Sequence, residues 1–277
     1  MKKSCLLALV GFAPAAFAQN SAETLLLRKP ALSATHIAFS YAGDIWTANR
    51  DGSNPQRLTV GPGVETDPYF SPDGQSIAYS GDYDSNVDVY VIPTAGGQPR
   101  RLTWYPAADE VRGWSPDGKR VLFNGGQEAH ARAYQLLTVA AEGGFPEKLS
   151  LPTAERGAFS PDGGKLAYAP VEEAYTTWKR YRGGMTGPIW VVDLKSLAVE
   201  QIPHENATDT YPVWLGGKVF FLSDRARTMN VFEYDPATKG VRQVTQHTDF
   251  DVKALNGFGT SLIYEQAGRL HLLNTAN

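Results

Sequence analysis

The chain has 277 residues, of which 42% are hydrophobic and 20% are charged, and its formal net charge at pH 7 is −3. This length and composition are typical of a folded globular domain and exclude a disordered chain or a coiled coil. Acidic and basic residues are well mixed, so no general electrostatic signal points to nucleic acid or to anionic lipid. Any binding surface must therefore be local.

Residues 1–18 have the pattern of an export signal. Lys2 and Lys3 precede an apolar stretch from Cys5 to Phe12, and Ala16-Phe17-Ala18 forms a small-x-small cleavage site before Gln19. The alternative is a membrane anchor, but the stretch is shorter than the roughly 20 residues that span a bilayer. We expect a mature chain that is periplasmic or secreted and that has no membrane contact after signal removal.

The turn sequence S-P-D-G occurs at 71–74, 115–118 and 160–163. The intervals between the serines are 44 residues (71 to 115) and 45 residues (115 to 160), and a period of this size indicates a repeat architecture. In such a turn Pro presets φ at the first corner, Asp accepts backbone hydrogen bonds and Gly supplies a positive φ. Because the turn is repeated, we interpret its serines as structural and not as nucleophiles.

A short β-branched and aromatic run occurs six times, at 37–39, 77–79, 121–123, 166–168, 219–221 and 262–264. Each run is typical of a buried strand. A third strand follows every copy and a fourth follows five of them, while a first strand precedes each turn. Four strands in about 40 to 45 residues are typical of a β-propeller blade. We predict an all-β, six-bladed β-propeller of four-stranded antiparallel blades, with TolB/WD-like repeats and an incomplete last blade.

These patterns divide the chain into a signal peptide, 1–18, and a propeller, 19–277. The approximate blades are 25–64, 65–109, 110–154, 155–208, 209–248 and 249–277. The last blade stops where the other copies enter a fourth strand. Two explanations stay open: the run Leu25-Leu26-Leu27 supplies the missing outer strand, or the chain is the front part of a longer protein.

Blade topology gives the ring two edges. We call the edge formed by the second-to-third and fourth-to-first connections the loop rim, and the edge that carries the S-P-D-G turns the turn rim. The blade 4 connection is unusually long, because Tyr168 to Ile189 spans 21 positions whereas Tyr79 to Val89 spans 10. The insertion is rich in aromatic and cationic side chains, which include Trp178, Lys179, Arg180, Tyr181 and Arg182.

Two interpretations of this insertion stay open. Arg provides a bidentate fork for carboxylates, and Trp and Tyr are common anchors at interfaces, so the insertion would bind a peptide or dock another domain. Alternatively, it is an inserted hairpin whose aromatic residues pack on their own blade.

No constellation of catalytic residues or metal ligands is visible. Cys5, the only cysteine, falls in the export signal, so the mature chain has no disulfide and no thiolate nucleophile or ligand. The blade 2 loop carries Asp82, Asp84, Asn86 and Asp88 at alternate positions but lacks the glycine and the bidentate glutamate of a calcium loop. We predict no catalytic residue, no cofactor and no metal. Asp67 and Asp109 are candidates to project into the central channel.

The stretch W-K-R-Y-R-G-G-M-T-G-P-I-W, residues 178–190, resembles a segment of the amino-terminal six-bladed propeller of the tricorn protease family. The opening L-L-L-R-K-P-A-L, the D-I-W at 44–46 and the S-P-D-G blades are similar too, so the resemblance covers essentially the whole mature chain. TolB-type and oligopeptidase propellers share the S-P-D-G blades. The W-K-x-Y-R-G-G insertion is more specific.

The resemblance implies a non-catalytic propeller, a channel, filter or docking module, at the front of a serine peptidase that trims oligopeptides. In that family a second propeller, a PDZ domain and a Ser/His-based catalytic core follow, and the subunits form hexameric rings. The implied partners are peptide substrates, the catalytic part of the same polypeptide and further copies of it. None of the family's catalytic residues falls within 1–277.

Two features depart from the family pattern. The archaeal archetype has a longer, basic loop between blades 2 and 3 that is implicated in holding the peptide's carboxyl end, whereas here Trp104 to Val111 is short and carries Asp109 and Glu110. The archetype is also intracellular, whereas this chain begins with an export signal. The alternative function is a stand-alone periplasmic TolB-like propeller that mediates protein–protein interaction.

Overall fold

A computed structural model of the chain describes residues 25–126, 134–171 and 177–276. The described residues form 23 β-strands in six antiparallel sheets, and the last sheet has three strands. The predicted six-bladed propeller with a shorter last blade is thus confirmed. The predicted signal, residues 1–18, lies outside the described residues. Within those residues no helix is long and apolar enough to cross a membrane.

In each blade the strands lie side by side in sequence order, with the first strand at the channel and the last strand at the outer edge. Blades 1 and 2 consist of β1 Arg28–Leu32, β2 His36–Tyr41, β3 Asp44–Asn49, β4 Gln56–Arg57, β5 Val64–Phe70, β6 Ser76–Asp82, β7 Val87–Pro93 and β8 Arg100–Arg101. Blades 3 and 4 consist of β9 Asp109–Trp114, β10 Arg120–Gly125, β11 Gln135–Ala140, β12 Glu147–Lys148, β13 Arg156–Phe159, β14 Lys165–Ala169, β15 Trp190–Asp193 and β16 Val199–Gln201. Blades 5 and 6 consist of β17 Asp209–Leu215, β18 Lys218–Ser223, β19 Asn230–Asp235, β20 Gly240–Gln243, β21 Val252–Phe258, β22 Ser261–Gln266 and β23 Arg269–Asn274.

The ring is closed at its inner surface by the first strands. Each first strand contacts the first strand of the next blade, and β21 of blade 6 contacts β1 of blade 1. The apolar side chains of the second and third strands fill the space between neighbouring blades. In one such cluster Ala167 and Val191 of blade 4 pack with Phe221 and Tyr234 of blade 5. Full burial of a side chain as large as Phe221 contributes about 1.5 to 3 kcal/mol.

The S-P-D-G serines are engaged in their own turns. The Ser71 hydroxyl donates to Asp73 Oδ1 at 2.6 Å and accepts from the Ser76 N–H at 3.0 Å. Gly74 closes the turn with φ of +73°, a conformation that costs glycine little. The same contacts recur at the turns that begin with Ser115 and Ser160. Each serine hydroxyl thus connects the first strand of a blade to the second.

The run from Leu25 to Leu27 does not supply the fourth strand of blade 6. The Leu27 N–H donates to the Gly268 carbonyl at 3.1 Å, in the turn between β22 and β23, and Leu26 stays 72% exposed. Because the sheet of blade 6 ends at β23, that strand presents an edge that no described strand covers.

We expect Ser160→Ala to lower the free energy of unfolding by about 1 to 2 kcal/mol, because it removes a buried hydroxyl that bonds two backbone groups of Lys165. Denaturant melts of purified protein measure the change. The matched control is Ser150→Ala, at an exposed position. Equal stability of the two variants would contradict the structural role of the turn serines.

Candidate functional site

The first strands carry backbone irregularities where they meet the channel axis. The pairing register shifts in β1, β5, β9, β17 and β21, whereas β13 pairs regularly. In three of these strands the bulge includes a non-glycine residue with positive φ: Lys29 at 50°, Asp67 at 49° and Tyr211 at 50°. Each such residue costs of order 1 kcal/mol, and a bulge re-aims side chains. The Lys29 side chain contacts both of the other two.

Lys29 connects three blades. Its Nζ lies 3.2 Å from Asp67 Oδ1 of blade 2 and 3.1 Å from the Tyr211 hydroxyl of blade 5. Blade 6 separates blades 1 and 5 around the ring, so the contact with Tyr211 spans the inner channel. The backbone N–H of Lys29 also donates to Glu265 Oε2 of blade 6 at 3.1 Å.

Blades 3 and 4 complete this arrangement. Arg112 is 2% exposed; its Nη1 lies 3.8 Å from Asp67 Oδ1 and its Nη2 donates to Glu155 Oε1 at 2.8 Å. Arg112 also pairs with Glu110. The guanidinium carbon of Arg156 lies 3.8 Å from the centre of the Tyr211 ring. We call the set Lys29, Asp67, Arg112, Glu155, Arg156 and Tyr211 the cross-channel layer.

Charge in this layer is stabilised by pairing. Burial alone would raise the pKa of Asp67, but Lys29, Arg112 and Arg156 outweigh it and lower that pKa to about 2. Burial opposes the charge of Lys29 as well, yet Asp67 and Tyr211 raise its pKa above the usual lysine range. At neutral pH Lys29 and Asp67 are therefore both charged.

The other acidic candidates contact residues of their own blades. Asp109 is fully buried and lies against Gly125 of the next strand, so of the two predicted channel aspartates only Asp67 enters the layer. Asp88, from the loop compared with a calcium site, pairs with Arg101 at 2.6 Å and accepts from Thr103 at 3.2 Å. Among the described residues no three His, Cys, Asp or Glu side chains are grouped so that they could hold a metal ion.

The cations of the blade 4 insertion reach across to blade 5 and to the connection that leads into blade 6. Lys179 Nζ lies 2.8 Å from Asp251 Oδ2, and Arg182 Nη1 donates to Asp224 Oδ2 at 2.8 Å. Arg180 Nε donates to the Arg227 carbonyl at 3.2 Å. These contacts attach the insertion to the second-to-third loop of blade 5 and to the connection between blades 5 and 6.

The aromatic residues of the insertion remain accessible. Trp178 is 60% exposed, and its ring centre lies 6.1 Å from that of Tyr181. Phe250, next to Asp251, is also 60% exposed, and Trp104 in the connection between blades 2 and 3 is 63% exposed. All of these side chains lie on the loop rim. Phe250 and Trp104 are not predictable as site residues from the sequence, because they lie in short connections without an unusual motif.

A family model decides the relationship of this chain to known proteins. The model described as the tricorn protease N-terminal β-propeller domain matches residues 24–277. The chain belongs to this family. A tricorn protease homologue of Streptomyces coelicolor is 32% identical over 273 residues, which cover 90% of this chain and 22% of the relative. A homologue from Saccharolobus solfataricus is 25% identical, with coverage of 85% and 22%.

Solved structures agree on the fold. The tricorn propeller superposes on the crystal structure of the tricorn protease with a TM-score of 0.81 and 24% identity, over 91% of this chain and 25% of that one. A TolB structure from Agrobacterium tumefaciens gives 0.65 and 20% identity, over 88% of this chain and 83% of that one. The chain thus spans about a fifth of the length of its curated tricorn relatives.

Asp67→Asn is expected to lower the free energy of unfolding by about 3 kcal/mol, because it leaves buried cations uncompensated. The lowered pKa of Asp67 means that its contribution is present above about pH 4 and is lost as the pH falls toward 2. The difference in free energy of unfolding between Asp67→Asn and wild type should therefore become smaller as the pH falls from about 4 toward 2. Unfolding followed by circular dichroism at several pH values measures it.

The matched control is Glu142→Gln, which removes an exposed partner of Arg100 and should change stability by less than about 1 kcal/mol. A gap between Asp67→Asn and wild type that stays constant from pH 5 to pH 2 would contradict the stabilising role of the ionised carboxylate.

For the insertion we expect Arg182→Ala to lower the free energy of unfolding by about 1 to 2 kcal/mol, because the partner carboxylate of Asp224 is 4% exposed. Trp178→Ser, on an exposed side chain, should change it by less than about 0.5 kcal/mol. Thermal melts compare the two variants. A larger loss of stability in Trp178→Ser than in Arg182→Ala would contradict the structural role of Arg182 and the free surface at Trp178.

Proposed function

We propose that this chain is the non-catalytic propeller of an exported, tricorn-like serine peptidase and that it serves as a docking module in oligopeptide degradation. The observation that carries the proposal is the set of exposed aromatic side chains on the loop rim: Trp104, Trp178 and Phe250. The partner is the catalytic part of the same polypeptide. Peptide substrates would reach that part, and further copies of the polypeptide would assemble around it.

The loop rim has the composition of a docking surface. Large exposed aromatic side chains are costly in water and are the commonest anchors of protein interfaces. Lys179 and Arg182 are held by Asp251 and Asp224, so Trp178 is presented on a braced insertion. A preorganised anchor loses little conformational entropy when it binds.

Docking is favoured over an open channel because the cross-channel layer spans the inner ring. Lys29 of blade 1 reaches both Asp67 of blade 2 and Tyr211 of blade 5, so these contacts join first strands across the channel. A peptide that passed along the axis would have to displace paired, buried charges, which is costly without replacement partners. A channel or filter role would therefore need a rearrangement of this layer, whereas docking needs none.

Relatives and sequence pattern support the remaining parts of the proposal. The curated tricorn homologues are more than four times as long as the region they share with this chain, so a peptidase core elsewhere in the polypeptide is expected. The export pattern of residues 1–18 supports a periplasmic or secreted location.

The test uses the polypeptide encoded by the whole reading frame, which we expect to continue into a peptidase core. In that polypeptide the double variant Trp178→Ser/Phe250→Ser should reduce hydrolysis of a fluorogenic oligopeptide at least tenfold, because the catalytic part would lose its docked position. Sedimentation velocity should show a more open particle. The melting of the propeller should stay unchanged.

Phe145→Ser is the matched control, because Phe145 is 94% exposed but lies on the turn rim. Equal activity of Phe145→Ser and the double variant would rule out docking through the loop rim. A reading frame that stops without a peptidase core would contradict the peptidase proposal and favour the stand-alone, TolB-like alternative, in which the same rim would bind a separate protein.

A further inference from the structure

Five cationic side chains lie on the loop rim where the loops of blades 4 and 5 meet. Three of them form ion pairs with carboxylates, each with an N–O distance of 2.8 Å: Lys179 with Asp251, Arg182 with Asp224 and Arg225 with Asp209. The three carboxylates are buried or mostly buried, so these cations serve to hold the loops in place. The other two cations are Arg180 and Arg227.

Arg180 and Arg227 have no ionic partner in the part of the chain that the structure describes. Arg180 Nε donates to the Arg227 carbonyl at 3.2 Å, which is a neutral acceptor, and both residues are exposed. The exposed carboxylates of Glu205 and Asp249, in the two connections that flank blade 5, pair with neither guanidinium. Two positive charges on this surface are therefore available to an anion.

The backbone at both arginines is strained. Arg180 has a φ of +58° and Arg227 a φ of +74°, in a region that is unfavourable for a residue with a long side chain and that is concentrated at functional sites. Each arginine lies in a turn: the Tyr181 N–H donates to the Trp178 carbonyl at 3.2 Å, and the Arg227 N–H donates to the Asp224 carbonyl at 2.8 Å. The ion pairs of the neighbouring cations hold these turns, so both guanidiniums extend from a fixed backbone.

An exposed aromatic surface adjoins the two arginines. Trp178 precedes Arg180 in the same turn, is 60% exposed and has its ring centre 6.1 Å from that of Tyr181. A guanidinium binds a carboxylate through two parallel hydrogen bonds, and an indole ring can pack on the apolar part of the same segment. Arg and Trp are also enriched among the anchors of protein interfaces. We call Arg180, Arg227 and Trp178 the arginine patch.

We propose that the arginine patch binds an acidic segment of the catalytic part of the same polypeptide. The inference rests on the proposed function and adds the charge of the partner surface to it. Carboxylates of the segment neutralise Arg180 and Arg227, and an apolar side chain of the segment packs on Trp178. Because the charges of the patch are exposed, salt screens them, with a screening length of about 10 Å at 0.1 M ionic strength and about 3 Å at 1 M. Docking therefore weakens as the salt concentration rises.

The test uses the polypeptide encoded by the whole reading frame and measures hydrolysis of a fluorogenic oligopeptide between about 0.05 M and about 0.5 M salt. At low salt Arg180→Gln/Arg227→Gln should reduce hydrolysis by about tenfold, and sedimentation velocity should show a more open particle. Wild type should lose activity as salt is added, whereas this variant should respond much less. Arg180→Lys/Arg227→Lys keeps both charges but not the bidentate geometry, so it should keep the salt dependence with a loss of about threefold.

The matched control is Arg50→Gln/Lys119→Gln, which removes two cations from the turn rim. Arg50 resembles Arg180 in that its guanidinium donates to a backbone carbonyl, that of Ala34 at 3.5 Å, and Lys119 is exposed. This control should keep the activity and the salt dependence of wild type, although its net charge changes as much. Thermal melts of the propeller should be the same for all of these variants, because no ion pair is lost. A control that is as defective as Arg180→Gln/Arg227→Gln would overturn the proposal.

Comparison with the aromatic variant separates this inference from the proposed function. Wild-type activity of Arg180→Gln/Arg227→Gln beside a defective Trp178→Ser/Phe250→Ser would overturn the acidic partner and leave docking intact. Wild-type activity of both variants would overturn docking as well. The arginines would instead bind the substrate if the defect disappeared when the carboxyl end of the oligopeptide is amidated and sedimentation stayed unchanged, and that result also overturns the inference.

Discussion

A single blade of this propeller has two apolar faces and no means of covering them, and the rest of the structure depends on that constraint. Phe221 of blade 5 is fully buried only because Ala167 and Val191 of blade 4 lie against it. Each blade is therefore stable in the presence of its two neighbours, as in other repeat proteins. Every blade needs its neighbours in this way. The position of any functional side chain is therefore fixed by closure of the ring and not by its own blade alone.

Closure brings six first strands to one axis, where their side chains have little access to water. Burial of the charges of Lys29, Asp67 and Arg112 is unfavourable unless they are paired. The bulges at Lys29 and Asp67 direct these side chains so that the pairs form. The layer also connects blades that are not neighbours, since Lys29 of blade 1 binds Tyr211 of blade 5.

The blades were predictable from the sequence because their signals are local and repeated: S-P-D-G at 71–74 and its two further copies define a turn, and a β-branched run follows it. The cross-channel layer was not predictable, apart from Asp67, because a bulge that gives Tyr211 a positive φ has no reliable single-residue signature. The insertion at 178–182 was recognised by length and composition. Its ion pairs were not, because Asp224 and Asp251 belong to other blades. Which side chains of the insertion face solvent depends on its packing against those blades.

The seam between blades 6 and 1 combines polar contacts near the channel with apolar packing farther out. At the axis the seam is held by polar contacts, in which the Lys29 N–H donates to Glu265 and the Leu32 N–H to Asn256 Oδ1 at 3.3 Å. Farther out, apolar residues of both blades, among them Phe39 and Ile263, pack together and line a cleft of about 530 Å³. Lys29 belongs both to this seam and to the cross-channel layer, so separation of blade 1 from blade 6 would also strain the contacts with Asp67 and Tyr211.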